Sequence, residues 1–252
     1  MVVVSDRQKT QYREEGYFIL EQALPNDAIK TLRLECQTFI DQMNAEMDRA
    51  GTDTIGINHR DRRYFIAQPS LQSVAIRSIY FSGLFAEICR ATIGDQVYGY
   101  FEQYVVKAAE RGMKFSWHQD SAFGEVAPHP PYVTCWCALD DMTEANGTVY
   151  LLPYSQTGRR DLVPHTREEG SNDLVGYTGD DPGQIVEVPA GSIAVFSSHV
   201  LHRSGVNTTD RMRRVYLAQY APVVMRSNAT GEPWGRNEPF IDAGRMVAKE
   251  PS

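Results

Sequence analysis

The sequence predicts a mainly β domain that follows a helical N-terminal part. Up to about residue 95, apolar residues recur at helical spacing, whereas the later residues form short runs rich in Val, Tyr, Ile and Thr. Turn signals at Asn146-Gly147 and Ala190-Gly191 stand directly before two of these runs, as is common in antiparallel sheets. We expect a single domain over residues 1–252, with a mainly helical part at 1–95, a β core at 96–225 and a surface tail at 226–252.

The helical part begins with "SDRQKTQYREEG", which predicts a capped helix that ends at Gly16. "YFIL" then predicts a short strand, and "PNDAIKTLRLECQTFIDQMNAEMDRAG" a long amphipathic helix that ends at Gly51. Two shorter helical segments follow, "LQSVAIRSIY" and "GLFAEICRATIG". The predicted strands of the β core are "VYGYFEQYVVKA", "PYVTCWCALDD", "TVYLLPYS", "GQIVEVP", "SIAVFSS" and "RVYLAQYAPV".

Composition narrows the classes of partner. The chain of 252 residues is 42% hydrophobic and carries a formal net charge of −7, which argues against nucleic acid or an anionic membrane as the main partner. No run of 18 apolar residues and no signal peptide is present, so we expect a soluble, cytoplasmic protein, a monomer or homodimer acting on a small molecule. The cysteines are too few for a disulfide framework and are expected to be buried free thiols: Cys36, Cys89, Cys135 and Cys137.

The stretch "KFSWHQDSAF" contains a candidate metal site. His118 and Asp120 are two residues apart, so on an extended strand they point the same way while Gln119 points oppositely. Such a tripeptide also arises by chance, and a hydrogen-bonded histidine at a strand end needs no metal. A second cluster strengthens the metal interpretation, because "SSHVLHRSGVNTTDRMRRVYL" places histidines just after an apolar strand and arginines about one strand further on.

These residue types suit a particular chemistry. Non-haem Fe(II) enzymes that activate O2 hold the metal with two histidines and one carboxylate, which leaves positions for a cosubstrate and oxygen. A 2-oxo acid chelates iron through its keto and adjacent carboxylate oxygens, and its far carboxylate requires a fixed cation. Arginine suits this role because its planar guanidinium pairs with a carboxylate at two points, and a serine hydroxyl adds a hydrogen bond.

Several motifs in order resemble those of the phytanoyl-CoA dioxygenase superfamily of Fe(II)- and 2-oxoglutarate-dependent oxygenases. They are "WHQD" at 117–120, "CWCALDD" at 135–141, "NGTVYLLPYS" at 146–155, "VPAGSIAVFSSHVLHRSGVN" at 188–207 and Arg213. The resemblance covers roughly residues 10–220. It implies a double-stranded β-helix, or jelly roll, flanked by the N-terminal helices.

The resemblance also assigns roles. It implies that His118, Asp120 and His202 are the catalytic iron ligands, with Fe(II), 2-oxoglutarate and O2 as cofactor and cosubstrates. The cosubstrate residues it implies are Arg213 for the far carboxylate, Ser204 beside it and Trp136 lining the pocket. The implied reaction is hydroxylation of an unactivated C–H bond, with release of succinate and CO2.

Two further expectations concern the chemistry. Related halogenases have a small residue at the carboxylate position, so Asp120 indicates a hydroxylase. The alternative class is a cupin-like metal protein without oxygen chemistry, an isomerase or small-molecule binding module, which would keep the three ligands and would not need Arg213. The sequence contains no set of residues that selects a substrate.

Other polar residues near these motifs have simpler interpretations. His199 competes with His202 as the distal ligand, but its position three residues earlier points it away, and His129 and His165 are expected at the surface. Arg211 and Arg214 are expected to be solvated or ion-paired. Candidates for the pocket lining are Gln103, Tyr104, Lys107 and Phe123, of which Tyr104 and Phe123 are candidate substrate residues. For Lys107, burial in the strand with its amine extended toward solvent is the equal alternative.

The segment "INHRDRRYFIAQPS" joins the two parts of the chain and contains Arg60, Arg62 and Arg63. If it is extended, alternate positions from Asn58 to Tyr64 share one face, which would present cations to a substrate carboxylate or phosphate. The alternative is a solvated loop whose arginines pair with the abundant acidic residues.

Overall fold

Helices dominate the first part of the chain and strands the remainder, in a computed structural model that describes residues 3–109, 113–123, 126–168 and 174–248. The helices are α1 (Asp6–Glu15), α2 (Asn26–Ala50), α3 (Val74–Tyr80), α4 (Gly83–Thr92) and α5 (Tyr154–Thr157). The first eight strands are β1 (Tyr17–Leu20), β2 (Thr54–Ile55), β3 (Asn58–His59), β4 (Arg63–Ala67), β5 (Val97–Lys107), β6 (Phe115–His118), β7 (Val133–Ala138) and β8 (Val149–Leu152). The others are β9 (Thr166–Arg167), β10 (Leu174–Val175), β11 (Gln184–Ile185), β12 (Ile193–Ser197), β13 (Leu201–Ser204), β14 (Arg213–Ala221), β15 (Glu238–Asp242) and β16 (Arg245–Met246).

Two antiparallel sheets build the β part. The major sheet has the strand order β1-β12-β7-β14-β5-β4-β3-β2, with β15 paired to β5 and β16 to β15. The minor sheet has the order β11-β8-β13-β6, and β9 pairs with β10 separately. Mainly β structure with antiparallel sheets and N-terminal helices is therefore confirmed.

The helices pack on one face of the major sheet. Tyr104 of β5 and Tyr216 of β14 are fully buried in a core that also contains Leu32 of α2, and the hydroxyl of Tyr104 donates to the carbonyl of Leu32 at 3.0 Å. Burying each such large side chain contributes about 1.5–3 kcal/mol. Since residues alternate along a strand, the neighbouring positions of β5 and β14 point to the opposite face, toward the minor sheet.

A second apolar cluster joins the two sheets. It contains Trp136 and Phe196 from the major sheet together with Val149 and Leu151 from the minor sheet. The space between the sheets is therefore lined by both, and the candidate site lies there.

The capped N-terminal helices form where the sequence predicts them. Ser5 caps α1 with a capping box, and Gly16 ends the helix with φ of 82°. Helix α2 likewise ends at Gly51, with φ of 63°. The segment "GQIVEVP" differs from the prediction, because only Gln184–Ile185 pairs as a strand. The predicted buried thiols are confirmed for all four cysteines.

The C-terminal segment contributes to the sheet as well as to the surface. Strand β15 pairs with the beginning of β5, and its residues Phe240 and Ile241 are fully buried in the helical core. Residues 226–248 are therefore not a simple surface tail. The sequence shows no alternation here because two consecutive residues are buried next to a register shift between Pro239 and Ile241. Within the described ranges, no helix combines the length and apolar character needed to cross a membrane.

Candidate metal centre

Three potential metal ligands converge between the sheets. One ligand atom from each of His118, Asp120 and His202 lies within 4.8 Å of the others. His118 ends β6 and His202 lies in β13, where the two histidines are direct partners across the minor sheet. Their ring centroids are 4.1 Å apart, and Nε2 of His202 is 3.4 Å from Oδ1 of Asp120.

The extended backbone at Gln119 explains why His118 and Asp120 face the same way. Gln119 has φ of −112° and ψ of 136°, and a short 3-10 turn begins at Asp120. The Gln119 side chain points away and donates to the carbonyls of Asp161 at 3.0 Å and His199 at 2.6 Å. The predicted alternation across this tripeptide is therefore confirmed.

Backbone contacts orient both histidine rings. Nδ1 of His118 lies 2.7 Å from the carbonyl of Ser116, and Nδ1 of His202 lies 3.0 Å from that of Val200. A carbonyl only accepts, so each Nδ1 carries a proton and each Nε2 is the ring nitrogen directed into the site. Neutral imidazoles with a free Nε2 are the form that binds a metal ion.

Charge interactions at the site favour an ionised Asp120. Burial opposes ionisation of both groups, but Asp120 raises the pKa of His202, and the charge and hydrogen bond of His202 hold the pKa of Asp120 below its usual value, with His118 adding to the effect. Burial and the neighbouring His202 lower the pKa of His118. A divalent cation requires deprotonated ligands, so its binding would displace the proton that Asp120 favours on Nε2 of His202.

Two residues that the sequence analysis did not identify contact Asp120. Thr134 Oγ1 donates to Oδ2 of Asp120 at 2.6 Å, and Gln219 Nε2 donates to the same oxygen at 3.0 Å. The sequence contains a partial indication of this. Thr134 is two residues from Trp136 and Gln219 is six residues from Arg213, so each pair lies on one face of its strand. This spacing predicts that Thr134 and Gln219 face the cavity, but it does not predict their hydrogen bonds to Asp120.

The three ligands open into a cavity of about 400 Å³ between the sheets. Its far end is formed by Arg213, which is 2% exposed and whose Nη2 donates to the carbonyl of Gly147 at 2.5 Å. Nε and Nη1 of Arg213 have no hydrogen-bond partner among the described residues. Burial lowers the pKa of Arg213 to about 9, a penalty that a bound anion would offset.

The surroundings of Arg213 suit a carboxylate. Its guanidinium lies over the ring of Trp136, with 5.7 Å from Cζ to the ring centroid. Ser204 also lines the cavity and accepts a hydrogen bond from Nζ of the fully buried Lys107 at 2.8 Å. The cavity therefore contains a cluster of two histidines and one carboxylate and, apart from it, a buried guanidinium with unsatisfied nitrogens. This arrangement fits an elongated dicarboxylate that extends from the metal to the arginine.

Aromatic side chains form another wall of the cavity. Tyr100, Tyr132 and Trp234 line it, and the Tyr100 ring centroid is 4.9 Å from that of Tyr132 and 5.9 Å from that of Trp234. Phe123, which is 42% exposed, also lines the cavity and packs its ring edge-on against His118, at 5.2 Å between centroids. The chain from Met225 to Asn237 carries Trp234 to this position, and no sequence motif indicates that placement.

The expected face of the arginine segment does not form. A turn at residues 60–62 separates β3 from β4, so the segment is not extended throughout. Arg60 instead pairs with Asp48 at 2.6 Å and Asp53 at 2.8 Å, and Arg62 is exposed. Arg63 is 8% exposed and lines the cavity, where its Nε donates to the carbonyl of Ile57 at 3.0 Å.

The remaining residues considered in the sequence differ in their position relative to the cavity. Tyr104 faces the helical core rather than the cavity, because β5 directs alternate residues to opposite faces. His199 stays outside the cluster with its Nδ1 at 3.0 Å from the carbonyl of Arg160. His165 is not a free surface residue, since its Nε2 accepts from the backbone N–H of Gln119 at 3.0 Å. Gln103 lines the cavity, as expected.

Known proteins share this sequence pattern and fold. The chain matches the phytanoyl-CoA dioxygenase (PhyH) family over residues 12–215. It is 23% identical over 260 residues to phytanoyl-CoA dioxygenase domain-containing protein 1 of Danio rerio, covering 86% of this chain and 89% of that protein. It is 25% identical over 248 residues to L-proline trans-4-hydroxylase of Streptomyces griseoviridis, covering 84% of each.

Solved structures show the same fold. The crystal structure of the non-heme α-ketoglutarate-dependent carbocyclase SnoK from nogalamycin biosynthesis superposes with a TM-score of 0.73 at 19% identity, over 92% of this chain and 94% of that one. The family match spans well over half of the sequence and includes the three converging ligands and Arg213. The chain therefore belongs to the phytanoyl-CoA dioxygenase family.

Proposed function

We propose that this dioxygenase uses Fe(II) and 2-oxoglutarate to hydroxylate an unactivated C–H bond of a small molecule, with release of succinate and CO2. The observation that carries the proposal is the presence, in one cavity, of the His118, Asp120 and His202 cluster and a buried Arg213 with two unsatisfied nitrogens. The cluster alone would suit several metals and reactions. The arginine adds the requirement for an anionic cosubstrate.

The ligand cluster would hold Fe(II) through the Nε2 atoms of His118 and His202 and a carboxylate oxygen of Asp120. When bound, iron and 2-oxoglutarate supply the activation of O2 and the oxidising power for the C–H bond. The protein's part is to fix the ligands in one orientation. The carbonyls of Ser116 and Val200 do this for the histidines.

The opposite end of the cavity would orient the cosubstrate. Arg213 presents Nε and Nη1 to the far carboxylate of 2-oxoglutarate, and Ser204 adds a hydroxyl beside it. Trp136 lies against the guanidinium and would exclude water from the ion pair. This burial strengthens the pairing, because charges attract more strongly where water is absent.

The aromatic wall would bind the substrate. Tyr100, Tyr132, Trp234 and Phe123 line the cavity, and Phe123 packs against His118 of the ligand cluster, which supports a substrate with an apolar portion to be oxidised. Arg63 is the cation of the N-terminal segment that lines the cavity, and we assign it to a polar or anionic group of that substrate. We also infer that the two sheets form a double-stranded β-helix, as in the jelly-roll oxygenases.

The decisive experiment measures succinate formed from 2-oxoglutarate by the purified protein with Fe(II), alone and against a panel of small molecules. We expect slow turnover without substrate and stimulation by the true substrate, with a hydroxylated product found by mass spectrometry. A purified protein that contains zinc and forms no succinate with any compound would instead support the cupin-like metal protein. Arg213 argues against that alternative, which has no use for a buried carboxylate receptor.

A further inference from the structure

The carboxylate of Asp120 is held on one of its two oxygens by a closed ring of hydrogen bonds. Thr134 Oγ1 and Gln219 Nε2 both donate to Oδ2, at 2.6 Å and 3.0 Å, and Gln219 Nε2 also donates to Thr134 Oγ1 at 3.1 Å. Thr134 is fully buried and Gln219 is 6% exposed, so water does not readily replace either donor. These two side chains are called here the carboxylate clamp.

The register of the major sheet fixes the carboxylate clamp. Thr134 of β7 and Gln219 of β14 are direct partners across the two strands, so their side chains lie side by side on the cavity face. On the other side of β14, the register with β5 shifts immediately after Gln219. Bulges of this kind commonly aim a side chain next to an active site.

The clamp divides the two carboxylate oxygens between different tasks. Oδ2 accepts two hydrogen bonds, which use the two acceptor positions of that oxygen. Oδ1 faces the histidines, at 3.4 Å from Nε2 of His202. Oδ1 is therefore the atom left for a metal ion.

We propose that Thr134 and Gln219 are positioning residues that make Asp120 bind the metal through one oxygen only. This inference rests on the proposed function, and it explains how the site would keep room for its reactants. A carboxylate that binds through both oxygens occupies an additional position on the metal, which the chelating cosubstrate or O2 would need. Groups that orient metal ligands typically change metal affinity or activity by about 10- to 100-fold when removed.

The test uses the full-length protein freed of metal and loaded with Mn(II) alone. Water-proton relaxation reports how many water molecules exchange on the bound ion, and calorimetry reports the affinity for 2-oxoglutarate in its presence. For Thr134→Val, Gln219→Leu and the double variant, we expect fewer exchanging waters and about tenfold weaker 2-oxoglutarate binding. Thr134→Ser restores the hydroxyl and is expected to behave as the wild type.

Thr148→Val is the matched control. Thr148 is also a fully buried threonine, but its hydroxyl donates to the carbonyl of Val186 and not to a ligand. We expect this variant to retain the wild-type relaxation even if its melting temperature falls. If Thr134→Val does not fold, Gln219→Leu alone tests the clamp, since it also removes a donor to Oδ2.

The outcomes separate this inference from the proposed function. A wild-type protein that binds no Mn(II) would contradict the proposed function. A wild-type protein that binds Mn(II) normally, with folded clamp variants that match it in both relaxation and 2-oxoglutarate affinity, would overturn the role of the clamp alone.

Discussion

Arg213 and Lys107 are direct partners across β14 and β5, so two buried cations stand at the same level of one sheet. Arg63 of β4 is the partner of Lys107 on its other side. Both Arg213 and Lys107 donate to the carbonyl of Gly147, at 2.5 Å and 3.4 Å. Like charges directly opposite each other destabilise a sheet, so an anion bound at this level stabilises the folded protein.

The first prediction follows from this row of cations. 2-Oxoglutarate should raise the melting temperature of the wild type, since a ligand at about 100 times its Kd adds about 2.7 kcal/mol to the free energy of unfolding. Arg213→Ala should weaken 2-oxoglutarate binding by roughly 30-fold or more, because loss of one partner of a buried charge pair costs about 2–5 kcal/mol. Calorimetric titration in the presence of Mn(II) measures both proteins.

Arg211→Ala is the control for this prediction, because the Arg211 side chain is 90% exposed. It should bind 2-oxoglutarate as the wild type does. Normal affinity in Arg213→Ala together with lost affinity in Arg211→Ala would show that the register assigned to the arginines is wrong.

The second prediction concerns Asp120 and the type of product. Because Asp120 supplies the carboxylate to the cluster, no position is left for a halide there, and the wild type should hydroxylate its substrate even in chloride-containing buffer. Mass spectrometry of the product formed with any compound that stimulates succinate release checks this. Chlorinated product from the wild type would contradict it.

The third prediction separates the three arginines of the N-terminal segment. Arg60→Gln and Arg62→Gln should leave substrate-stimulated succinate release near the wild-type rate, because Arg60 is paired with aspartates and Arg62 is exposed. Arg63→Gln should lower it, since Arg63 lines the cavity. Equal rates of succinate release for all three variants would show that Arg63 does not contact the substrate.

The fourth prediction assigns Trp234 to the substrate. Trp234→Ala should raise the KM for the substrate found by the succinate screen by roughly tenfold, since burying a large apolar side chain contributes about 1.5–3 kcal/mol. The KM for 2-oxoglutarate should stay unchanged. Val247→Ala, at a position of the same C-terminal segment that is 43% exposed, should alter neither constant. A parallel rise in both KM values for Trp234→Ala would indicate general disruption of the cavity.

The fifth prediction concerns stability against pH. The hydrogen bond from Arg77, together with Arg236, lowers the pKa of Glu238 from its usual 4.5. A carboxylate with a lowered pKa stabilises the folded state fully above pH 4.5, and this contribution is lost as the pH falls through the folded-state pKa. Glu238→Gln should therefore lower the free energy of unfolding at pH 7 by about 1 kcal/mol, a modest value because the carboxylate is partly exposed.

Denaturant unfolding of wild type and Glu238→Gln between pH 3 and 7 provides the measurement. The difference between the two curves should shrink toward the acidic end, as the wild-type carboxyl group becomes protonated. A difference in stability that is constant across this range would assign the effect to packing rather than to charge.

The sequence predicts local structure well where a local cause exists. The capping box at Ser5 and the glycine at Gly16 define α1 without help from the rest of the fold. Strands β4, β6 and β13 are short and pair with residues distant along the chain, so they are absent from the strands that the sequence predicts. The arginine segment is not extended throughout, since a turn at residues 60–62 breaks the period of two, and only Arg63 of its three arginines lines the cavity.

The candidate site also contains residues that local sequence predicts and residues that only strand pairing brings together. His118 and Asp120 are close in sequence, and their shared direction follows from strand geometry alone. Gln219 is 99 residues from Asp120, so only the pairing of β7 with β14 brings it to the carboxylate. Threonine and glutamine are also common on strands, which leaves no distinctive pattern to detect.

The segment that carries Trp234 lies outside residues 12–215, which match the family. The candidate iron ligands and Arg213 all lie within that range. Strand β15, which follows the segment, attaches it to β5 through backbone pairing. If Trp234 contacts the substrate as predicted, substitutions in this segment would change which substrate binds and would leave the binding of iron and 2-oxoglutarate intact.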